Sequence, residues 1–167
     1  MDKTGSPCQQ CLESTDLGFD FTMAFQPIIR CQAKSIFGYE ALVRGLNNES
    51  AYSIISQVND DNRYRFDQLC RVKAIALAAK LNIQTMVSIN FLPNAVYRPE
   101  RCIRTTLEAA RAHNFPIQQI MFEFTEVERV TDHQHIKNVV EYYQQLGFKT
   151  AIDDFGSGYS GLNLLAD

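Results

Sequence analysis

The chain has 167 residues, of which 46% are hydrophobic, enough for one domain with a buried core. Charged residues make up 21% and the net charge is −3, so composition excludes a basic nucleic-acid-binding surface and no DNA or RNA partner is expected. No apolar run reaches the roughly 18 residues that a membrane span needs.

Residues 1–20 read as an irregular leader. It lacks the apolar segment of a secretory signal, which points to the cytoplasm. The five cysteines, Cys8, Cys11, Cys31, Cys70 and Cys102, are odd in number and argue against a disulfide framework. Cys8 and Cys11 form a C-x-x-C pair that suits redox chemistry or half of a zinc site. A second ligand pair is missing from the sequence, and a reduced tail is the plainer reading. Asn48-Glu49-Ser50 matches a glycosylation acceptor, which has no consequence in a chain read as unsecreted.

The first strands are "FTMAFQPIIR" (21–30) and "SIFGYEALVRG" (35–45), joined through the polar "CQAKS" as a hairpin. "LNNES" follows as a loop. The pattern then alternates. "RFDQLCRVKAIALAAKLN" (65–82) predicts a helix turning Leu69, Val72, Ile75, Ala76 and Ala79 inward. "TMVSINF" (85–91) is a strand. "PERCIRTTLEAARAHN" (99–114) is a helix opened by Pro99, with Ile103, Leu107 and Ala110 on one face. "QIMFEFTE" (119–126) is a strand. "DHQHIKNVVEYYQQLG" (132–147) is a helix burying Ile136, Val139, Val140, Tyr143 and Leu146, and Gly147 stops it. "KTAIDDFG" (149–156) is a strand with its exit turn, and "YSGLNLLAD" begins another helix. Repeated strand–helix units predict a parallel α/β sheet.

Glu40, Asn90, Glu123 and the pair Asp153–Asp154 close successive strands. The steps from Asn90 to Glu123 and from Glu123 to Asp153 are 33 and 30 residues, one β/α unit each. Parallel strands bring such ends to one face, where barrel enzymes carry their chemistry. Carboxylates gathered there repel without a cation, and hard oxygen donors suit Mg²⁺ or Mn²⁺. Two ions roughly 3.5–4 Å apart would favour in-line displacement at phosphorus. Any one of these acids alone is more often a helix cap or a surface charge than a ligand, and Asp154 could simply cap the helix after the glycine turn.

The stretches "FQPI" (25–28), "YEALVRG" (39–45), "SINF" (88–91), "FEFTE" (122–126) and "DDFGSGYSGL" (153–162) resemble, in order, the EAL domain family. This is the bacterial phosphodiesterase module that opens cyclic di-GMP to linear pGpG. The resemblance covers residues 21–167 and implies a TIM-like (β/α) barrel with an antiparallel second strand. By the family's pattern, Glu40, Asn90, Glu123 and Asp153 resemble the ligands of a first Mg²⁺ or Mn²⁺. Asp153 and Asp154 resemble those serving a second ion, and Glu40, Asp153 and Asp154 take the catalytic role. Gln26, Leu42 and Arg44 match positions that hold the dinucleotide, where an arginine fork grips a phosphate in two places. Phe155, Gly156, Ser157, Gly158, Tyr159 and Ser160 resemble loop 6, which couples metal binding to dimerisation in the family. Here it reads "DDFGSGYSG" against the common "DDFGTGYSS", and "FEFTE" departs mildly from "ELTE".

The family continues past "LNLL" with a lysine, a glutamate and a glutamine on further strands, and none of these is present here. The resemblance therefore implies a barrel truncated after about the fifth strand, which is not expected to turn over on its own. A homodimer or the missing C-terminal part is the expected partner. The alternative is a catalytically incompetent EAL-type regulator that binds cyclic di-GMP or a protein. An unrelated metal-dependent phosphohydrolase fits the five motifs poorly.

Overall fold

The structure is a computed structural model and describes residues 17–92, 96, 98–125 and 133–153. Cys8, Cys11, Asp154 and the stretch 155–160 lie outside these residues. Strands β1 (Thr22–Arg30) and β2 (Ser35–Arg44) form the hairpin. They are followed by α1 (Ala51–Ile55), α2 (Arg63–Lys80), β3 (Met86–Asn90), α3 (Pro99–Cys102) and α4 (Arg104–Ala112). A 3-10 turn (Ile117–Gln119) leads into β4 (Ile120–Thr125), and α5 (His133–Gln145) and β5 (Lys149–Asp153) complete the described chain.

The five strands form one sheet in the order β1-β2-β3-β4-β5. β1 and β2 pair antiparallel, and β2 to β5 pair in parallel. The expected antiparallel step is therefore present, and against the strands that follow it is β1 that runs opposite. The parallel arrangement follows from the intervening helices, because a crossover returns the chain to the sheet in the same direction.

The main core lies between the sheet and the helices. Val87, Ile89, Ile120 and Phe122 on the sheet meet Ala74, Ile75 and Ala78 of α2 and Val139 and Tyr143 of α5, all buried. The face of α2 differs from the expected one. Leu69, Val72 and Ala79 are only partly buried, while Cys70, Arg71, Ala74 and Ala78 turn inward. Small residues at 74 and 78 let the helix lie close to the sheet, and the buried Arg71 is tolerated because Asp67 pairs with it.

Two other expectations shift. The predicted single helix over 99–114 has a fault at Ile103, although the Ile103 N–H still bonds the Pro99 carbonyl at 3.2 Å. α1 was not anticipated. It is five residues long and rests on the Ser50 hydroxyl, which accepts from the Ser53 N–H at 3.3 Å. The stop at Gly147 is confirmed by its φ of +99° and by the Phe148 N–H bonding the Tyr143 carbonyl.

Gly38 sets the approach of β2 to β3. It pairs with Met86, and a Cβ there would stand 2.6 Å from the Met86 carbonyl oxygen. Because the obstacle is backbone, Gly38→Ala is expected to cost about 1–3 kcal/mol, read from the shift of a urea midpoint at unchanged slope.

Candidate metal and nucleotide site

Cross-strand partners in a sheet share a face, and alternate residues along a strand share it too. The register pairs Gln26 with Glu40 and Glu40 with Ser88, then Asn90 with Glu123, then Thr125 with Asp153. Two residues along from Glu40 and Ser88 lie Leu42 and Asn90, and Arg44 follows Leu42 at the same period. These residues therefore occupy the face opposite the helix-packed core, where Ala41, Val87, Ile89 and Phe122 are buried.

Glu40, Glu123 and Asp153 each offer a carboxylate oxygen, and these oxygens lie within 4.8 Å of one another. The Asn90 Nδ2 donates to Glu40 Oε1 at 2.8 Å. Asn90 Oδ1 is buried and has no hydrogen-bond partner among the described residues. A buried carbonyl oxygen without a donor is costly unless something absent from the chain completes it. Three carboxylates and this orphaned oxygen make a hard-donor set, and a hard divalent cation fits it.

Burial pushes the Glu123 carboxyl above its ordinary value, the nearby Ser88 hydroxyl, which makes no hydrogen bond among the described residues, draws it down in part, and Glu40 and Asp153 push it up again. A carboxyl whose folded-state value is raised favours folding when protonated. That contribution fades as pH rises through the carboxylate range. Glu123→Gln should therefore raise the melting temperature of the metal-free protein at pH 8, with the gain shrinking toward pH 4. The gain should be roughly 2–4 °C, worth about 1 kcal/mol at this size after allowing for solvent screening. The same variant should lose stabilisation by Mn²⁺, and calorimetric scans with and without the ion check both signs.

Two of the acids sit differently from expectation. Asn90 and Asp153 do end their strands, whereas Glu40 lies inside β2 and Glu123 inside β4. β2 runs on to Arg44 because its ladder with β1 continues to Thr22. Gln26 is exposed and directly opposite Glu40, and Leu42 and Arg44 are partly buried. The Arg44 Nη1 donates to the Val43 carbonyl at 2.7 Å. Ser88 was not anticipated at the site, although it lies one alternation before Asn90 on the same strand. Asp154 and the loop from Phe155 to Ser160 fall outside the described residues.

The EAL domain family matches residues 13–167. Among solved structures, a standalone versatile EAL protein from Vibrio cholerae O395 in its c-di-GMP-bound form is 77% identical, with a TM-score of 0.87. The match covers 91% of this chain and 64% of that one. The manganese and cyclic di-GMP complex of Klebsiella pneumoniae BlrP1 is 32% identical with a TM-score of 0.79, over 87% of this chain and 38% of that one. Among curated relatives, the blue light- and temperature-regulated antirepressor BluF of Escherichia coli K12 is 28% identical over 86% of the chain. The probable cyclic di-GMP phosphodiesterase PdeN of the same organism is 26% identical over 85%. The chain spans 36% of the first relative's length and 29% of the second's.

Proposed function

The chain belongs to the EAL domain family, and from that premise we propose that it carries the metal- and nucleotide-holding part of a cyclic di-GMP phosphodiesterase that releases linear pGpG in the cytoplasm. The observation that carries this reading is the cluster of Glu40, Glu123 and Asp153 with the orphaned Asn90 oxygen on one face of the sheet. Glu40, Asn90, Glu123 and Asp153 would hold a first Mg²⁺ or Mn²⁺, and Asp153 with Asp154 a second. Bound there, the ions supply Lewis-acid polarisation of a phosphoryl oxygen and a more acidic water.

The chain's own side chains bind and orient the dinucleotide. Arg44 offers a planar fork to a phosphate, Leu42 packs against the ligand, and Gln26 donates or accepts at its polar edge. Hydrolysis adds water across one phosphodiester: a P–O bond to the water oxygen forms, the P–O3′ bond breaks, and the freed 3′ oxygen takes a proton. The loop Phe155–Ser160 is assigned to coupling metal binding with assembly of a homodimer.

The test is incubation of the completed domain, this chain continued by the further strands that the family carries, with cyclic di-GMP and Mn²⁺, with products separated by ion-exchange chromatography. Appearance of pGpG that stops on chelation is expected. Nucleotide binding without any product would reject hydrolysis in favour of a regulatory binding module, a reading that the antirepressor among the relatives favours. Neither product nor binding would reject both.

A further inference from the structure

Behind the proposed ligands, on the helix side of the sheet, lies a buried ion pair. Asp67 and Arg71 of α2 are 3% and 0% exposed, and Arg71 Nη2 meets Asp67 Oδ2 at 2.5 Å. The other Asp67 oxygen, Oδ1, accepts from the Leu92 backbone N–H at 3.1 Å, two residues after Asn90. The Arg71 guanidinium lies 5.6 Å from the Phe91 ring centre and 5.2 Å from that of Phe122. Phe91 follows Asn90 and Phe122 precedes Glu123, so alternation turns each ring to the helices and each polar neighbour to the site. The Phe91 N–H also bonds the Glu123 carbonyl at 2.9 Å, tying the two strand ends together.

From this geometry we infer that Asp67 and Arg71 are positioning residues for Asn90 and Glu123, holding the end of β3 and its join to β4 at the height the ligand set requires. The inference rests on the reading of the site given above. A buried ion pair contributes little net stability over an apolar pair of equal volume. What an apolar pair cannot do is accept the Leu92 N–H where the β3 ladder ends. Groups behind metal ligands typically tune affinity by about 10–100-fold.

Two variants separate positioning from plain stability. Asp67→Leu with Arg71→Met removes both charges together and is expected to fold with a melting temperature near that of the unaltered protein. Asp67→Asn strands the buried arginine and lowers stability, yet keeps an oxygen for the Leu92 N–H. Mn²⁺ binding is followed by electron paramagnetic resonance, well below each melting temperature. The double variant should bind about tenfold or more weakly, whereas Asp67→Asn should stay within about threefold of the unaltered protein. In the metal-free state, the Asn90 side-chain amide resonances, assigned by their loss in Asn90→Ala, should move in the double variant only. Unchanged affinity and unchanged Asn90 resonances in the double variant would overturn the inference. Should that variant not fold, a loss of affinity in Asp67→Asn in step with its stability would overturn it equally, and retained affinity would support it. If the unaltered protein bound no Mn²⁺, the site reading itself would fall, and the Asn90 resonances would still report on the positioning.

Discussion

In the completed domain, Glu40→Ala is expected to reduce Mn²⁺-dependent hydrolysis of cyclic di-GMP on the order of 10³-fold, the equivalent of several kcal/mol of lost charge stabilisation. The change removes a carboxylate from a set whose oxygens lie within 4.8 Å of one another, and it also strips Asn90 of the acceptor at 2.8 Å that orients its amide. Glu40→Gln separates these effects, because its side-chain oxygen can still accept from Asn90 while the charge is gone. If charge is what the site needs, the glutamine variant fails nearly as badly as the alanine. If orientation of Asn90 dominates, it recovers most of the loss. The decisive measurement is the initial rate across a Mn²⁺ titration. A defect cured by high Mn²⁺ locates the loss in ion affinity, and one that persists at saturation locates it in the chemical step. Retention of the rate within about tenfold in the alanine variant would show that the reaction does not occur at this cluster.

The strands and the long helices are legible in the sequence because hydrophobic periodicity switches between about 2 and 3.6 residues along the chain. Asn90, Glu123 and Asp153 stand out in the sequence because one β/α unit separates each from the next, and Glu40 because it lies in the "YEALVRG" stretch. What the sequence could not supply was register. Glu40 sits well inside its strand, and only the pairing of Glu40 with Ser88 and of Asn90 with Glu123 puts these groups on one face. Ser88 was missed for the same reason, since a serine in a strand carries no signal until its neighbours are known. α1 escaped notice because five residues with one buried side chain, Ile54, leave no period to read. The face of α2 was misread because charged residues are assigned to solvent by default. Arg71 is wholly buried, and only its four-residue spacing from Asp67 hinted at the pair.

That pair carries the other large effect. Arg71→Met, with Asp67 left in place, is expected to destabilise the protein by about 3–5 kcal/mol, because it leaves a buried carboxylate without its cation. In the intact protein, burial pushes the Asp67 carboxyl up, while Arg71 and the Leu92 N–H draw it down. Burial likewise pulls on the Arg71 proton, and Asp67 and Tyr143 more than reverse that pull; the close contact of Arg71 Nη2 with Asp67 Oδ2 is that of an ion pair. Without Arg71, burial acts against a single backbone donor, and Asp67 in the folded state prefers its proton. A carboxyl with a raised folded value contributes stability below its unfolded value of about 3.9 and loses it as pH rises. The penalty in Arg71→Met should therefore be largest near pH 8 and shrink steadily toward pH 4. Tyr143, which accepts from Arg71 Nη1 at 3.3 Å, also loses its donor and adds a smaller, pH-independent cost. Urea titrations of Arg71→Met at pH 8 and pH 5, beside the double variant Asp67→Leu/Arg71→Met, check the account. A penalty that does not vary with pH, or one that remains when both charges are removed, would mean that lost packing on Phe91 and Phe122 is the cause rather than the stranded charge.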